Sequence, residues 1–508
     1  MGDASILEPT TPAPSASSTL PPSMSAFGAS AAGSRTTPPS GPADPYRYQV
    51  GFGNYFSSEA VPDALPPAGR NVPQKCPYDL YSEQLNGTPF VSYRDTLQHV
   101  WMYRIRPAVA HSRPGKLAAE AQNTDMEACF SKQNPNVEFT PVTYEWGPLA
   151  YPAEDEQVTF IQGLKTIGGS GDPTTKEGLA MHMYSCNASM GRQAFCNNDG
   201  DFLILPQVGR LDIQTELGRL MVRPGELCVI QAGLRWKISL PDGPSRGYVH
   251  EVFGSHFELP DLGVIGSNGL AHPRDFAYPV ASFDMEVAPW EVVYKLTGEY
   301  YGYTQRHTPF DVVAWHGSYV PFKYDMELFV PLACAAKEQC DPTIYTVLHA
   351  KSKTPKVSLS EFAVYTAKHI TALDTYRPPY YHRNMSTEML GMIYGEYHGS
   401  VRDVQAGCLS CENSYMPHGD AYKAWQEATT AKLEPQLVGE GALSFMLHIN
   451  NHFSLTKFAL ERNPTIKHIP GYEGDFWDDL QGHFMDHLDT INAKLQSAGL
   501  PLLGQGPA

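Results

Sequence analysis

The chain has no apolar stretch near the roughly 20 residues that a membrane-spanning helix requires, so a membrane span is not expected. It also lacks lysine or arginine runs: 37 basic residues stand against 54 acidic ones, for a net charge of −17 at pH 7. Nucleic-acid binding favours basic patches, so no such partner is expected. The acidity does not exclude an anionic small substrate, because one metal ion can dominate the field of a pocket. Cysteine is scarce and odd in number, nine in 508 residues. Cys408 and Cys411 form a Cys-x-x-Cys pair, but no second pair follows at zinc-site spacing. Such cysteines are expected to be reduced, which suits the cytoplasm. Residues 1–10 show no basic segment leading into an apolar core, so a secretory signal is not expected either.

Hydrophobic residues make up 42% of the chain, with 28 Tyr and 22 Phe, enough for a large buried core. Residues 1–45 are mostly Pro, Ser, Ala, Gly and Thr, which bury too little apolar surface to offset ordering, and a disordered tail is expected. From about 157 to 255 the pattern is β. Gly200–Gln207 leads into the alternating run Leu211-Asp212-Ile213-Gln214-Thr215; Gly218 opens the next strand and Pro224-Gly225 closes it; Glu226–Gln231 follows. This cadence describes a jelly-roll β-sandwich and resembles a cupin barrel. Where a cupin turn carries a metal-binding His, this chain has Trp236, so this half is expected to hold no metal. The expected fold is mainly β: a metal-free, cupin-like sandwich over 46–304 and a second β-rich, cupin-like domain over 305–508. Few helices are expected, all peripheral, one of them between Gly471 and Ala498.

The most unusual polar residues lie in the second half. Tyr376-Arg377-Pro378-Pro379-Tyr380-Tyr381-His382-Arg383-Asn384 is followed by Glu388. The prolines favour an extended approach, and an even spacing of six puts His382 and Glu388 on one face of an extended segment. His418, set between Pro417 and Gly419, sits on a tight turn that can aim its imidazole inward. Two imidazoles and one carboxylate are the facial donor set of non-haem Fe(II) oxygenases. Spacing alone leaves open that each of these is an ordinary core or surface residue.

Arg377–Asn384 with Glu388 and Gly391 resembles the metal-binding segment of the homogentisate dioxygenase family, as does Pro417-His418-Gly419. Further matches are Gly51-Phe52-Gly53-Asn54, Pro77–Leu85, Trp101–Ile105, Asp199–Ile204, His256–Phe276 and Pro309–Gly317, so the resemblance runs from Tyr46 to about residue 460. It implies Fe(II) held by His382, Glu388 and His418, with His418 also next to substrate. His316, in Ala314-Trp315-His316-Gly317, matches the proton acceptor, a role that suits an imidazole near neutral pH. Tyr397, in Gly395-Glu396-Tyr397, matches a substrate-contacting tyrosine. The implied reaction joins O₂ to homogentisate and opens its ring to maleylacetoacetate, a step of tyrosine and phenylalanine catabolism. The family assembles as trimers that pair into hexamers, so a homo-oligomer is expected.

Three stretches depart from the family's wording. Cys411-Glu412 stands where Leu-His is usual. Val364–His369 replaces Phe-Pro-Pro-Arg-Trp, and Phe445-Met446-Leu447-His448-Ile449 replaces Met-Phe-Glu-Ser. A second acid near the iron alters local charge and opposes an anionic substrate arm. Two alternatives therefore stand beside homogentisate: another substituted hydroquinone such as gentisate, or a metal-binding cupin without turnover.

Overall fold

The computed structural model describes residues 42–504 apart from 68–74, 87–90, 92–93, 95, 262–270, 332–344, 371–379, 398–403, 421 and 470–483. The proposed tail lies almost wholly outside the described residues. All strands and helices below belong to one compact unit, Thr37–Ala508.

The chain is mainly β, as its alternating pattern leads one to expect. The strands read from the sequence are present as Gly200–Val208, Leu211–Thr215, Gly218–Val222 and Glu226–Ile230. Described helices are short and few: Phe160–Gly163, a π-helical turn at Phe458–Arg462, Tyr422–Thr430 and Leu488–Ser497. The last lies inside the expected 471–498 helix, whose first part falls outside the described residues. No described helix is long and apolar enough to cross a membrane.

Three sheets stack as layers. The central one, ten-stranded among the described residues, contains Gly200–Val208, Ser245–Phe253 and Glu177–Cys186 side by side. On one face lies a seven-stranded sheet that includes Gln193–Asn197, Arg235–Ser239 and Trp290–Leu296. Phe195 and Trp236 of that sheet meet Phe202 of the central one, with ring centroids 6.2 and 6.3 Å apart. Trp236 thus fills core volume between the two sheets.

On the other face lies the eight-stranded sheet that carries the candidate site. Its strands in chain order are β1 (Tyr144–Trp146), β2 (Phe257–Glu258), β3 (Thr346–Lys351), β4 (Ser358–Tyr365), β5 (Thr387–Tyr394), β6 (Leu409–Glu412), β7 (Leu443–Ile449) and β8 (Ile466–His468). In space they run β2-β3-β4-β7-β5-β6-β1-β8. The Tyr248 ring meets Phe445 of β7 at 5.1 Å, and its hydroxyl donates to the carbonyls of Met392 and Cys408 at 3.1 and 2.8 Å. Strand Ser245–Phe253 is therefore covered on both faces, which explains why its polar residues His250 and Glu251 are fully buried. A fourth sheet of four strands holds Phe56–Glu59, Val312–Gly317, Val100–Arg104 and Tyr81–Leu85.

His250 bonds Ser360 of β4 through Nε2 at 2.7 Å, and burial lowers its pKa to about 4. Its unfolded value is near 6.5, so the unfolded chain binds the extra proton between those two limits. The contribution of neutral His250 is complete above pH 6.5 and falls by about 3 kcal/mol as pH drops to 4. Urea unfolding across that range should show a pH slope about one proton shallower in His250→Gln than in the parent.

Candidate metal centre

The three expected ligands come from two local structures, a bridge and the start of β5. His382 and His418 face each other in a two-residue bridge, in which each backbone N–H donates to the other's carbonyl at 3.0 Å. Asn384 then turns the chain: its side-chain oxygen accepts from the Ser386 N–H at 2.9 Å, and its carbonyl accepts from the Tyr415 N–H at 2.6 Å. Only after this turn does β5 begin, with Glu388 as its second residue. His382 and Glu388 are thus joined by a bend, not by one extended segment. Asn384 diverts the chain because its side chain binds local backbone in place of a neighbouring strand.

The donor atoms of His382, Glu388 and His418 lie within 4.8 Å of one another, and they are the one such group found among the described residues. Glu388 Oε1 is 3.5 Å from His382 Nε2, and Oε2 is 3.3 Å from His418 Nε2. Asn384 donates to Oε1 at 2.8 Å. Glu388 and His418 are buried, whereas His382 is partly open. Burial pushes the Glu388 carboxyl up, but the imidazoles of His382 and His418 outweigh it, helped by His448 and Asn384. The net effect holds the group well below the usual carboxylate range.

These residues fit a divalent metal. His418 Nδ1 lies 2.9 Å from the Met416 carbonyl and must donate to it, which fixes the tautomer and leaves the Nε2 lone pair toward Glu388. A lone pair facing a carboxylate at 3.3 Å needs a cation or a second proton between them. His382 Nδ1 is buried without a described partner. Both imidazoles and the carboxylate thus converge on a point that favours positive charge. Gly391 keeps β5 against β7: a Cβ there would stand 2.2 Å from the Phe445 ring.

His316 lies in strand Val312–Gly317 of the four-stranded sheet, with Nδ1 2.6 Å from the Tyr55 hydroxyl and Nε2 3.0 Å from that of Tyr103. Burial, and then the nearby His99, lowers its pKa and favours the neutral ring. Among the described residues, no hydrogen bond or ion pair links it to the three ligands. Tyr397 is on a two-residue strand, Glu396–Tyr397, just beyond β5, and its side chain lies outside the described residues. Cys408 and Cys411 are buried and not joined in a disulfide, and their odd spacing on and beside β6 puts them on opposite faces.

Two of the sequence departures lie beside the ligand carboxylate. Glu388 is opposite Glu412 on β6 and opposite His448 on β7. Asn384 and His448 both approach Glu388; the sequence places one in the metal-binding string and the other in a departure, but gives neither a role in the site. The alternation of β7 was the available signal for His448.

Residues 47–326 match the family model for the homogentisate 1,2-dioxygenase N-terminal region, and residues 327–484 match the model for its C-terminal region. Homogentisate 1,2-dioxygenase from Caenorhabditis elegans is 43% identical over 443 residues, covering 87% of this chain and 98% of that protein. The Drosophila melanogaster protein of the same name is 43% identical over 86% of this chain and 98% of its own length. The Homo sapiens one is 40% identical over 86% and 97%. Among solved structures, a cupin 2 conserved barrel domain protein from Leptotrichia buccalis aligns at TM-score 0.25 and 10% identity, over 61% of this chain and 92% of that one. That likeness is too remote to bear on function. The two family models, and relatives aligned over nearly their whole length, place this chain in the homogentisate 1,2-dioxygenase family.

Proposed function

We propose that the protein is an Fe(II)-dependent dioxygenase that adds both atoms of O₂ to homogentisate and opens its ring to maleylacetoacetate. The carrying observation is the His382–Glu388–His418 cluster, found in a chain of this family. Bound Fe(II) would supply the redox chemistry that allows O₂ to react with an electron-rich ring. The chain contributes the charge balance: a single carboxylate leaves a divalent site net positive, so it attracts a phenolate. The Met416 carbonyl and Asn384 hold His418 and Glu388 in orientation. His316, kept neutral by burial, is the proposed proton acceptor for a substrate hydroxyl, with Tyr55 and Tyr103 fixing its ring. Tyr397 and His418 are the proposed substrate contacts. The same reading carries a place in tyrosine and phenylalanine breakdown, a cytoplasmic location, and assembly as trimers and hexamers.

Protein loaded anaerobically with Fe(II) should take up one O₂ per homogentisate added, and chelation should stop it. Iron-holding protein that consumes no O₂ with homogentisate would sink the homogentisate reading. Glu412 beside Glu388 favours another substituted hydroquinone as the second choice, and uptake with gentisate instead would establish that reading.

A further inference from the structure

Four acidic or imidazole side chains form a row across the outer face of the eight-stranded sheet. Glu361 on β4 is opposite His448 on β7, His448 is opposite Glu388 on β5, and Glu388 is opposite Glu412 on β6. Residues directly opposite in antiparallel strands share a face and are close neighbours. The ligand carboxylate therefore has an imidazole on one flank and an acid on the other. Along β7 the two faces separate cleanly: Leu443, Phe445, Leu447 and Ile449 are buried in the core, while Ser444, Met446 and His448 turn outward.

The two flanking side chains are placed differently. One Glu412 oxygen accepts from the Thr143 hydroxyl at 2.7 Å. His448 Nδ1 stands 3.8 Å from Glu388 Oε1, its side chain is 27% exposed, and no described residue bonds its Nε2. His448 belongs to the outward-facing set of β7, beside the carboxylate of Glu388, so its Nε2 is available to a group bound at this centre. An imidazole nitrogen in that position can pair with a hydroxyl.

We propose that His448 is a specificity-determining residue whose Nε2 accepts a hydrogen bond from a hydroxyl of the aromatic substrate bound at His382, Glu388 and His418. The proposal rests on the reading that a hydroxyaromatic binds at this centre. The sequence departures point the same way. Against Leu-His, Cys411-Glu412 puts an acid where the motif has an imidazole. Against Met-Phe-Glu-Ser, Met446-Leu447-His448-Ile449 puts an imidazole where the motif has an acid. Both changes flank Glu388, so the site keeps one imidazole and one acid but exchanges their strands.

The test is equilibrium binding of homogentisate, and of the two monohydroxyphenylacetates that each lack one of its hydroxyls, to iron-loaded protein without O₂. His448→Ala should raise the Kd for homogentisate about tenfold, as expected for one lost hydrogen bond, with iron content unchanged. It should bind homogentisate no better than one of the two analogues. His448→Gln, which keeps an acceptor, should recover most of the loss. His448→Glu should bind most weakly, and Glu412→His/His448→Glu should return to within about threefold of the parent, against a loss of about tenfold or more for His448→Glu alone. The proposal fails if His448→Ala leaves the Kd and the analogue preference unchanged, or if it releases iron. A double variant no better than His448→Glu alone would overturn the exchange. Parent protein that binds homogentisate but consumes no O₂ would sink the proposed reaction and leave His448 tested. Parent protein that binds none of the three compounds would overturn both.

Discussion

His418→Ala protein should come off a desalting column without iron and should take up no O₂ with homogentisate; His382→Ala should behave the same way. The bridge between these residues is made by main-chain groups, so neither substitution removes the two 3.0 Å hydrogen bonds that close it. The variants therefore report on donor atoms and leave the local fold in place. Loss of a mere outer-sphere partner already costs about 10–100-fold in metal affinity, and removal of a donor from a three-residue site costs more. His316→Ala is the contrast: it should keep iron and lose most turnover, because His316 lies on another sheet with its nitrogens engaged by Tyr55 and Tyr103. Colorimetric iron assay beside oxygen-electrode traces separates the two classes. Full iron content in both ligand variants would mean that the cluster is not the metal site.

Lys295→Met should destabilise the protein by about 3–5 kcal/mol, the cost of leaving buried carboxylates without their counter-charge. Lys295 is fully buried in the seven-stranded sheet, and its ammonium bonds Asp199 at 2.7 Å and both oxygens of Glu251 at 2.8 and 2.9 Å. Glu251 belongs to the central sheet, so the ion pair ties two layers together. His182 at 3.2 Å and Asn197 at 2.6 Å complete its environment. Burial raises the Glu251 carboxyl, but Lys295 and His182 more than reverse this and hold it down to about 2. Combining Lys295→Met with Glu251→Gln should recover part of the loss, and a double-mutant cycle from urea unfolding measures the coupling. A double variant whose loss equals the sum of the two single losses would show that the pair is not coupled.

Strand positions between Gly200 and Ile230 were legible because alternation and Gly or Pro-Gly breaks carry a two-residue period that no helix shares. The proposed metal triad was legible through the resemblance of two short strings to the family's metal-binding segment, and its three donors do lie within 4.8 Å of one another. The layering was not. Nothing in the sequence marks polar residues such as His250 and Glu251 as buried, yet each finds its partner in a different sheet: Ser360 for one, Lys295 for the other. The bend at Asn384 was hidden too, because an even spacing between His382 and Glu388 agrees with an extended strand and the side-chain turn that interrupts it leaves no periodic trace. Alternation marked His448 as outward-facing, but its place beside Glu388 became readable only through strand register, which pairs it with a residue sixty positions upstream.

The alternation of β7 also bears on how such a protein can change over time. Phe445 and Leu447 hold the sheet against the layer below, while Ser444, Met446 and His448 point the other way. Packing and recognition are thus written on alternate letters of the same short segment. A lineage can substitute outward residues and drift toward a new aromatic compound with the inward ones untouched. The inherited stability of the scaffold and the novelty of its chemistry are in this strand separately heritable.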